Sequence, residues 1–136
     1  MVNSYATPNF NLDTSTNVAG LTTLKGSAPG TGDKIYIYNG ATLTVESALA
    51  CLIISLGETS AGAATAGQRV GHLTVNASIT VTFDGTTTEA NSGIKSNPAS
   101  AATESKGSLL TINSGAIFTN SVAGYWNGAQ AFSASN

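Results

Sequence analysis

Charge is what this chain has least of. Asp, Glu, Lys and Arg together make up 9% of its 136 residues, against about 25% in an ordinary soluble domain. The cations Lys25, Lys34, Arg69, Lys95 and Lys106 are scattered and the formal net charge is −2. Nucleic-acid binding needs clustered phosphate contacts, so the sequence speaks against a nucleic-acid partner. There is one cysteine, Cys51, and one histidine, His72. No disulfide framework can form within the chain, and one His with one Cys assembles no metal cluster. Cys51 lies in Ala-Cys-Leu-Ile-Ile and reads as a small buried apolar residue, because a nucleophilic thiol needs a His or a cation beside it. No apolar run approaches the roughly 18–20 residues that cross a bilayer. The longest, Ala48 to Leu56, reads as a core element, so no membrane association is expected. The N-terminus MVNSYATPNFNLD has neither a basic start nor an apolar stretch, which predicts a protein made and folded in a cytoplasm.

Thr, Ser, Ala, Gly and Asn take the place of the missing charge, and 41% of residues are apolar. β-branched residues are common, which favours strands joined by turns. Residues 1–32 are polar, with short apolar hints at Val18, Leu21 and Leu24, and read as an extended arm or a cap. From Ile35 the pattern alternates: Ile35 and Ile37 with tyrosines, then Leu43 and Val45 with threonines. Leu52–Leu56 is a short continuous apolar run, for which a helix over Glu46–Leu56 is the competing reading. Residues 57–70 read as a loop. A second block follows, Leu73 and Val75, then Ile79, Val81 and Phe83, closed by the turn signal Asp84-Gly85. Residues 86–108 read as another polar loop. The third block is Leu110 and Ile112, then Ile117 and Phe118. The division predicted is an arm or cap over 1–32, a core over 33–120, and an aromatic cap over 121–136.

The blocks look alike: strand, Asn, a small residue or two, second strand. Asn39, Asn76 and Asn113 are evenly spaced, since 76 − 39 and 113 − 76 are both 37. The first block is out of phase by one residue, because Tyr36 and Tyr38 fall where Leu73/Val75 and Leu110/Ile112 fall. A period of this length built from short strands suggests stacked rungs, with Asn at a bend hydrogen-bonding to the next rung. LTVNASITVTF, LLTINSGAIFTN and NGATLTVES resemble rungs of right-handed parallel β-helices, as in pectate-lyase-like folds, surface adhesins and bacteriophage virion proteins. The resemblance implies an all-β chain: a short parallel β-helix, or β-solenoid, of about three rungs with an N-terminal arm. A small antiparallel β-sandwich or jelly roll is the alternative.

Little catalytic chemistry is on offer. GSAPGTGDKI, residues 26–35, has the outline of a phosphate-binding loop. However, Asp33 interrupts it, Ile35 stands where a magnesium-holding Ser/Thr belongs, and a strand follows instead of a helix. It reads as a turn. Of the acids, Glu46 and Asp84 lie about one period apart and form the best candidate carboxylate pair for glycoside hydrolysis. His72 has no identifiable partner. Asn76-Ala77-Ser78 fits a glycosylation acceptor but reads as a bend. Thr42-x-Thr44 and Thr80-x-Thr82 resemble the threonine ladders of ice-binding solenoids, and Ile117-Phe118-Thr119 breaks the array. No catalytic residue, cofactor or metal is expected.

The expectation for function follows from the resemblance: a virion structural protein without enzymatic activity, assembled in a host cytoplasm and placed on the capsid surface. As a capsid decoration or cement protein it would bridge subunits of the major capsid protein, as a homotrimer because so small a core is marginal alone. A carbohydrate- or receptor-binding fibre or adhesin module is the alternative. The residues expected to bind a partner are Tyr5, Phe10, Tyr36, Tyr38, Tyr125, Trp126 and Phe132.

Overall fold

The computed structural model describes residues 2–85, 92–96 and 107–120. Along these the chain forms β1 (Ser4–Ala6), β2 (Asn9–Leu12), β3 (Thr16–Asn17), α1 (Val18–Lys25), β4 (Lys34–Ile37), β5 (Ala41–Val45), β6 (Leu49–Cys51) and β7 (Ile53–Leu56). The small strands β8 (Glu58–Thr59) and β9 (Gly62–Ala63) come next. They are followed by β10 (Gly71–Val75), β11 (Thr80–Phe83), β12 (Gly93–Ser96), β13 (Leu109–Ile112) and β14 (Ile117–Asn120).

The strands assemble into sheet A in the order β1-β2-β4-β7-β12, sheet B in the order β13-β10-β5-β3, sheet C in the order β14-β11-β6, and the β8-β9 hairpin. Ladders within sheets B and C are parallel. Sheet A is mixed: β2, β4, β7 and β12 run parallel, and β1 folds back antiparallel on β2.

This corrects the expected fold class. The protein is not a uniform all-β solenoid of three rungs carrying a detached arm. Among the described residues it is mostly β, with a mixed sheet A, one helix and a separate antiparallel hairpin. The parallel ladders equally overturn the antiparallel sandwich or jelly roll. The physical reason lies in the first 25 residues. Phe10, Leu12, Val18 and Leu21, few as they are, are all buried in the common core. Once β2 pairs with β4 and α1 brings Val18 and Leu21 inward, the polar segment is part of the domain.

Helix α1 forms where the sequence offers a complete set of end signals. Asn17 is its N-cap and accepts from the Gly20 N–H at 2.9 Å. Gly26 closes it in the left-handed conformation, φ 85°, with its N–H on the Thr22 carbonyl at 2.8 Å. Such a residue satisfies the helix's last free carbonyls, and glycine takes that φ without a Cβ clash. No apolar periodicity announces the helix, because only Val18 and Leu21 are buried on it. The competing helix over Glu46–Leu56 is absent; that stretch forms β6 and β7.

The core is built of in-register columns. Phe10, Ile35, Ile54 and Ile94 line up across sheet A. Leu43, Leu73 and Leu110, and beside them Val45, Val75 and Ile112, line up in sheet B. Leu49, Val81 and Phe118 do so in sheet C. Alternation along each strand sends these side chains to one face. The sequence pattern therefore identified most of the core, including Leu73, Val75, Val81 and Phe83, all fully buried.

The even asparagine spacing does not survive in space. Asn39 sits at the corner between β4 and β5, whereas Asn76 and Asn113 follow β10 and β13. In the register of sheet B, the residue level with Asn76 is Glu46, since Val45 pairs with Val75. The 37-residue spacing is a true register only between the second and third blocks, where His72 pairs with Leu109 and Thr82 with Thr119, whereas the first block joins the second at shorter offsets, Leu43 with Leu73 and Leu49 with Val81. The loop read over 86–108 also contains a strand, β12, whose Ile94 is buried.

Candidate functional site

The polar side chains are best taken by location, beginning at the end that α1 and β1 close. Asp33 is 3% exposed and lies in the turn that enters β4. Its carboxylate accepts from Lys25 Nζ at 2.6 Å, from the Gly30 N–H at 2.8 Å and from the Tyr5 hydroxyl at 3.0 Å. Burying a charge is costly unless it is paired and hydrogen-bonded, and here both conditions hold. The stretch 26–35 is therefore a turn clamped by its own aspartate, whose carboxylate takes up the Gly30 N–H and the Lys25 ammonium. Lys25 also stands 5.8 Å from the centre of the Tyr5 ring, and that ring packs on Phe10 at 4.4 Å.

Glu46 crosses to the other end of α1. Its two carboxylate oxygens accept from the Val18 N–H at 2.9 Å and the Ala19 N–H at 3.0 Å. An acid at a helix N-terminus meets unpaired donors and a favourable dipole. Burial pushes the Glu46 carboxyl up, but the backbone N–H groups outweigh it and hold the carboxyl below its ordinary value. Asp84 is engaged elsewhere. Its carboxylate accepts from the Thr31 hydroxyl at 2.8 Å, its N–H donates to the Cys51 carbonyl, and its carbonyl accepts from Gly32. Glu46 follows β5 of sheet B and Asp84 follows β11 of sheet C, and each carboxylate holds a different corner, Glu46 the α1 N-terminus and Asp84 the Thr31 hydroxyl, instead of the pairing that their spacing suggests. Glu58 is bound by the Ser55 hydroxyl and by Lys95 at 3.0 Å.

Cys51 is fully buried, and its thiol is pushed far above its ordinary value, first by burial and then by the Asp33 charge. The thiolate is the reactive form, so this sulfur is inert in the folded protein. His72 lies in β10, where its Nδ1 accepts from the Leu109 N–H at 3.1 Å. Beside it the Gly71 N–H donates to the Ser108 hydroxyl at 3.2 Å. These two side chains start the β10–β13 ladder. Among the described residues no group of His, Cys, Asp and Glu is placed to hold a metal ion, and no helix is long and apolar enough to cross a membrane.

The expected partner-binding aromatics separate. Phe10 is at 0% exposure in the core and is withdrawn as a docking residue. Tyr5 is half-buried and committed to Asp33 and Phe10. Tyr36 and Tyr38 are half-buried and share the outward-facing parity of β4, opposite to the buried Ile35 and Ile37. Burial, and then the Asp13 charge, push the Tyr38 hydroxyl above its ordinary value. The β8–β9 turn is fastened to the same sheet: Asn11 Nδ2 donates to the Ser60 hydroxyl and Ser60 N–H returns a bond to Asn11, both at 2.8 Å. Tyr125, Trp126 and Phe132 lie outside the described residues.

What sequence reasoning missed is the outer face of sheet B. Asn17, Thr44, Thr74 and Thr111 form one in-register column, and Thr42, His72 and Leu109 the next. Thr80 and Thr82 belong to sheet C, so the two Thr-x-Thr stretches do not share a face. The uncharged column was legible only once the register was known. Compared with known proteins, the chain matches no family model, no curated protein and no solved structure.

Proposed function

We propose that this is a non-enzymatic virion structural protein, a phage capsid decoration or cement protein that bridges subunits of the major capsid protein. The observation that carries the reading is where the described acids are spent. Asp13 accepts from Thr14, Asp33 from Lys25, Glu46 from the α1 N-terminus, Glu58 from Ser55, and Asp84 from Thr31. Each holds a turn, a helix end or a strand in place. The outward columns of sheet B are hydroxyl and amide groups with His72 and Leu109 among them. An uncharged face of this kind can be covered by another protein without stripping water from charges, which is the expensive part of burying polar surface. Attachment would add buried interface to the shell and involve no reaction and no cofactor.

The test is made on purified particles. A cement protein is present in many copies per virion, and its removal lowers the temperature or osmotic shock at which capsids open. Absence from virions, or unchanged capsid resistance without it, overturns the proposal. Light scattering on the purified protein reads the homotrimer directly. A second reading, a carbohydrate-binding module, is favoured by Tyr36 and Tyr38 on the outer side of β4 with Asn11 level with Tyr36. Aromatic faces flanked by amides suit sugar rings. Specific glycan-array binding that Tyr36→Ala abolishes would establish it in place of the first.

A further inference from the structure

The outer face of sheet A carries one in-register row across four strands. Asn11 is the partner of Tyr36, Tyr36 of Ser55, and Ser55 of Lys95. The β8–β9 hairpin is bound along this row. At its base Glu58 takes the Ser55 hydroxyl and, at 3.0 Å, the Lys95 ammonium. At its tip Ser60 exchanges two bonds of 2.8 Å with the Asn11 side chain. Asn11 and Ser55 stand on either side of Tyr36 in the register, so a segment tied to both of them crosses the Tyr36 position. Tyr36 has the outward parity of β4 and is half-buried there.

The hairpin is fixed at its ends and lightly held between them. Gly57 N–H donates to the Ile37 carbonyl at 2.7 Å. Ala64 is buried, and its carbonyl accepts from Arg69 Nε at 2.9 Å. Between these points β8 and β9 pair with each other, and among the described residues they share no ladder with sheet A. Side chains tie the hairpin to the sheet, so it can lift without breaking the sheet's backbone bonds. The ties also differ along its length. The Glu58 side chain is 13% exposed, whereas Ser60 and Ala61 are exposed and both bonds to Asn11 face water. Exposed bonds open most easily, because water replaces each partner as it leaves.

We infer that residues 58–63 form a strap over Tyr36 that releases at its Ser60 tip while its Glu58 base stays tied. Opening frees the Asn11 amide and uncovers Tyr36 in one movement. Closing returns both to the strap. A ligand that uses Asn11 and Tyr36 together must therefore displace Ser60, and the strap gates this face against it. Strap motion is read on Ser60 and Tyr36 themselves and is independent of what the face binds.

Two measurements on the full chain test the strap. The first is native-state amide exchange on the unaltered protein. The Ser60 amide should exchange about a hundredfold faster than the Ile35 and Ile54 amides of sheet A, and its rate should not respond to urea below the unfolding range, because a local opening exposes little surface. Exchange of Ser60 at the rate and urea dependence of those amides would mean that the strap opens only with the sheet, which overturns the inference. The second is nitration by tetranitromethane, mapped by mass spectrometry. Ser60→Ala removes the acceptor for Asn11 Nδ2 from the strap and leaves the sheet untouched. It should raise nitration of Tyr36 about threefold, the scale of one exposed hydrogen bond. Tyr5, which is committed to Asp33 and Phe10, should be nitrated equally in the two proteins. Unchanged nitration of Tyr36, or an equal rise at Tyr5, overturns the inference.

Discussion

At the residue scale the polar groups act as ties, and the ties differ in strength according to burial. The Lys25–Asp33 pair has side-chain exposures of 22% and 5%. Removing the cation leaves a buried carboxylate with only the Tyr5 hydroxyl and one backbone N–H. Lys25→Met should therefore cost about 3 kcal/mol in urea unfolding, since breaking a buried pair strands the remaining charge. Glu46 is more exposed and its worth is smaller. Glu46→Gln should cost about 1 kcal/mol, the scale of a lost cap. Its pH dependence has a definite sign. The folded carboxyl titrates below its ordinary value of 4.5, so its stabilisation is complete above that value and fades as pH falls through the folded one. The gap between Glu46→Gln and the parent protein should close in unfolding curves run progressively below pH 4.5. Cys51 should not react with a thiol reagent in native buffer and should react fully once the protein is unfolded in guanidinium.

At the element scale, register decides which side chains meet. Gly71 opens β10, and a Cβ there would lie 2.1 Å from the Ile37 carbonyl oxygen. Backbone cannot yield as a flexible side chain can, so Gly71→Ala should destabilise by about 2–3 kcal/mol, the cost of overpacking. Gly26→Ala meets nothing within 4 Å and should cost only its left-handed φ, about 1 kcal/mol. A larger loss in thermal melts for Gly26→Ala than for Gly71→Ala would refute this account of the β10 entry. The strands β5, β10 and β11 were legible in the sequence because Leu43/Val45, Leu73/Val75 and Val81/Phe83 alternate cleanly. Strand β12 was not, because Gly93-Ile94-Lys95-Ser96 holds one large apolar residue. Helix α1 was not, because Asn17 and Gly26 define its ends while only Val18 and Leu21 are buried.

At the scale of the whole molecule, the sheets bind distant parts of the chain into one unit. Sheet A alone runs from Ser4 to Ser96. Deleting residues 1–25 would uncover Ile35, Ile37 and Leu43 along β4 and β5, against which β2 and β3 pair. That truncation should abolish the cooperative thermal transition in calorimetry, where a dispensable arm would leave the transition in place.

The candidate site divides along the same line. Composition already pointed away from clustered charge, and alternation already placed Leu73, Val75, Val81 and Phe83 inside, because both are properties of residues and near neighbours. Equal spacing of Asn39, Asn76 and Asn113 misled, because a turn of chain takes a different number of residues at each layer and only hydrogen-bonded register counts them correctly. For the same reason Glu46 and Asp84, one period apart in sequence, serve different corners. The sequence by itself determined a charge-poor, strand-rich chain with a core legible from its alternation. Tertiary structure alone decided that Phe10 is core, that the first 25 residues belong to the domain, and which acids hold which turns. Those outcomes depend on contacts between segments far apart in sequence, which no local pattern encodes.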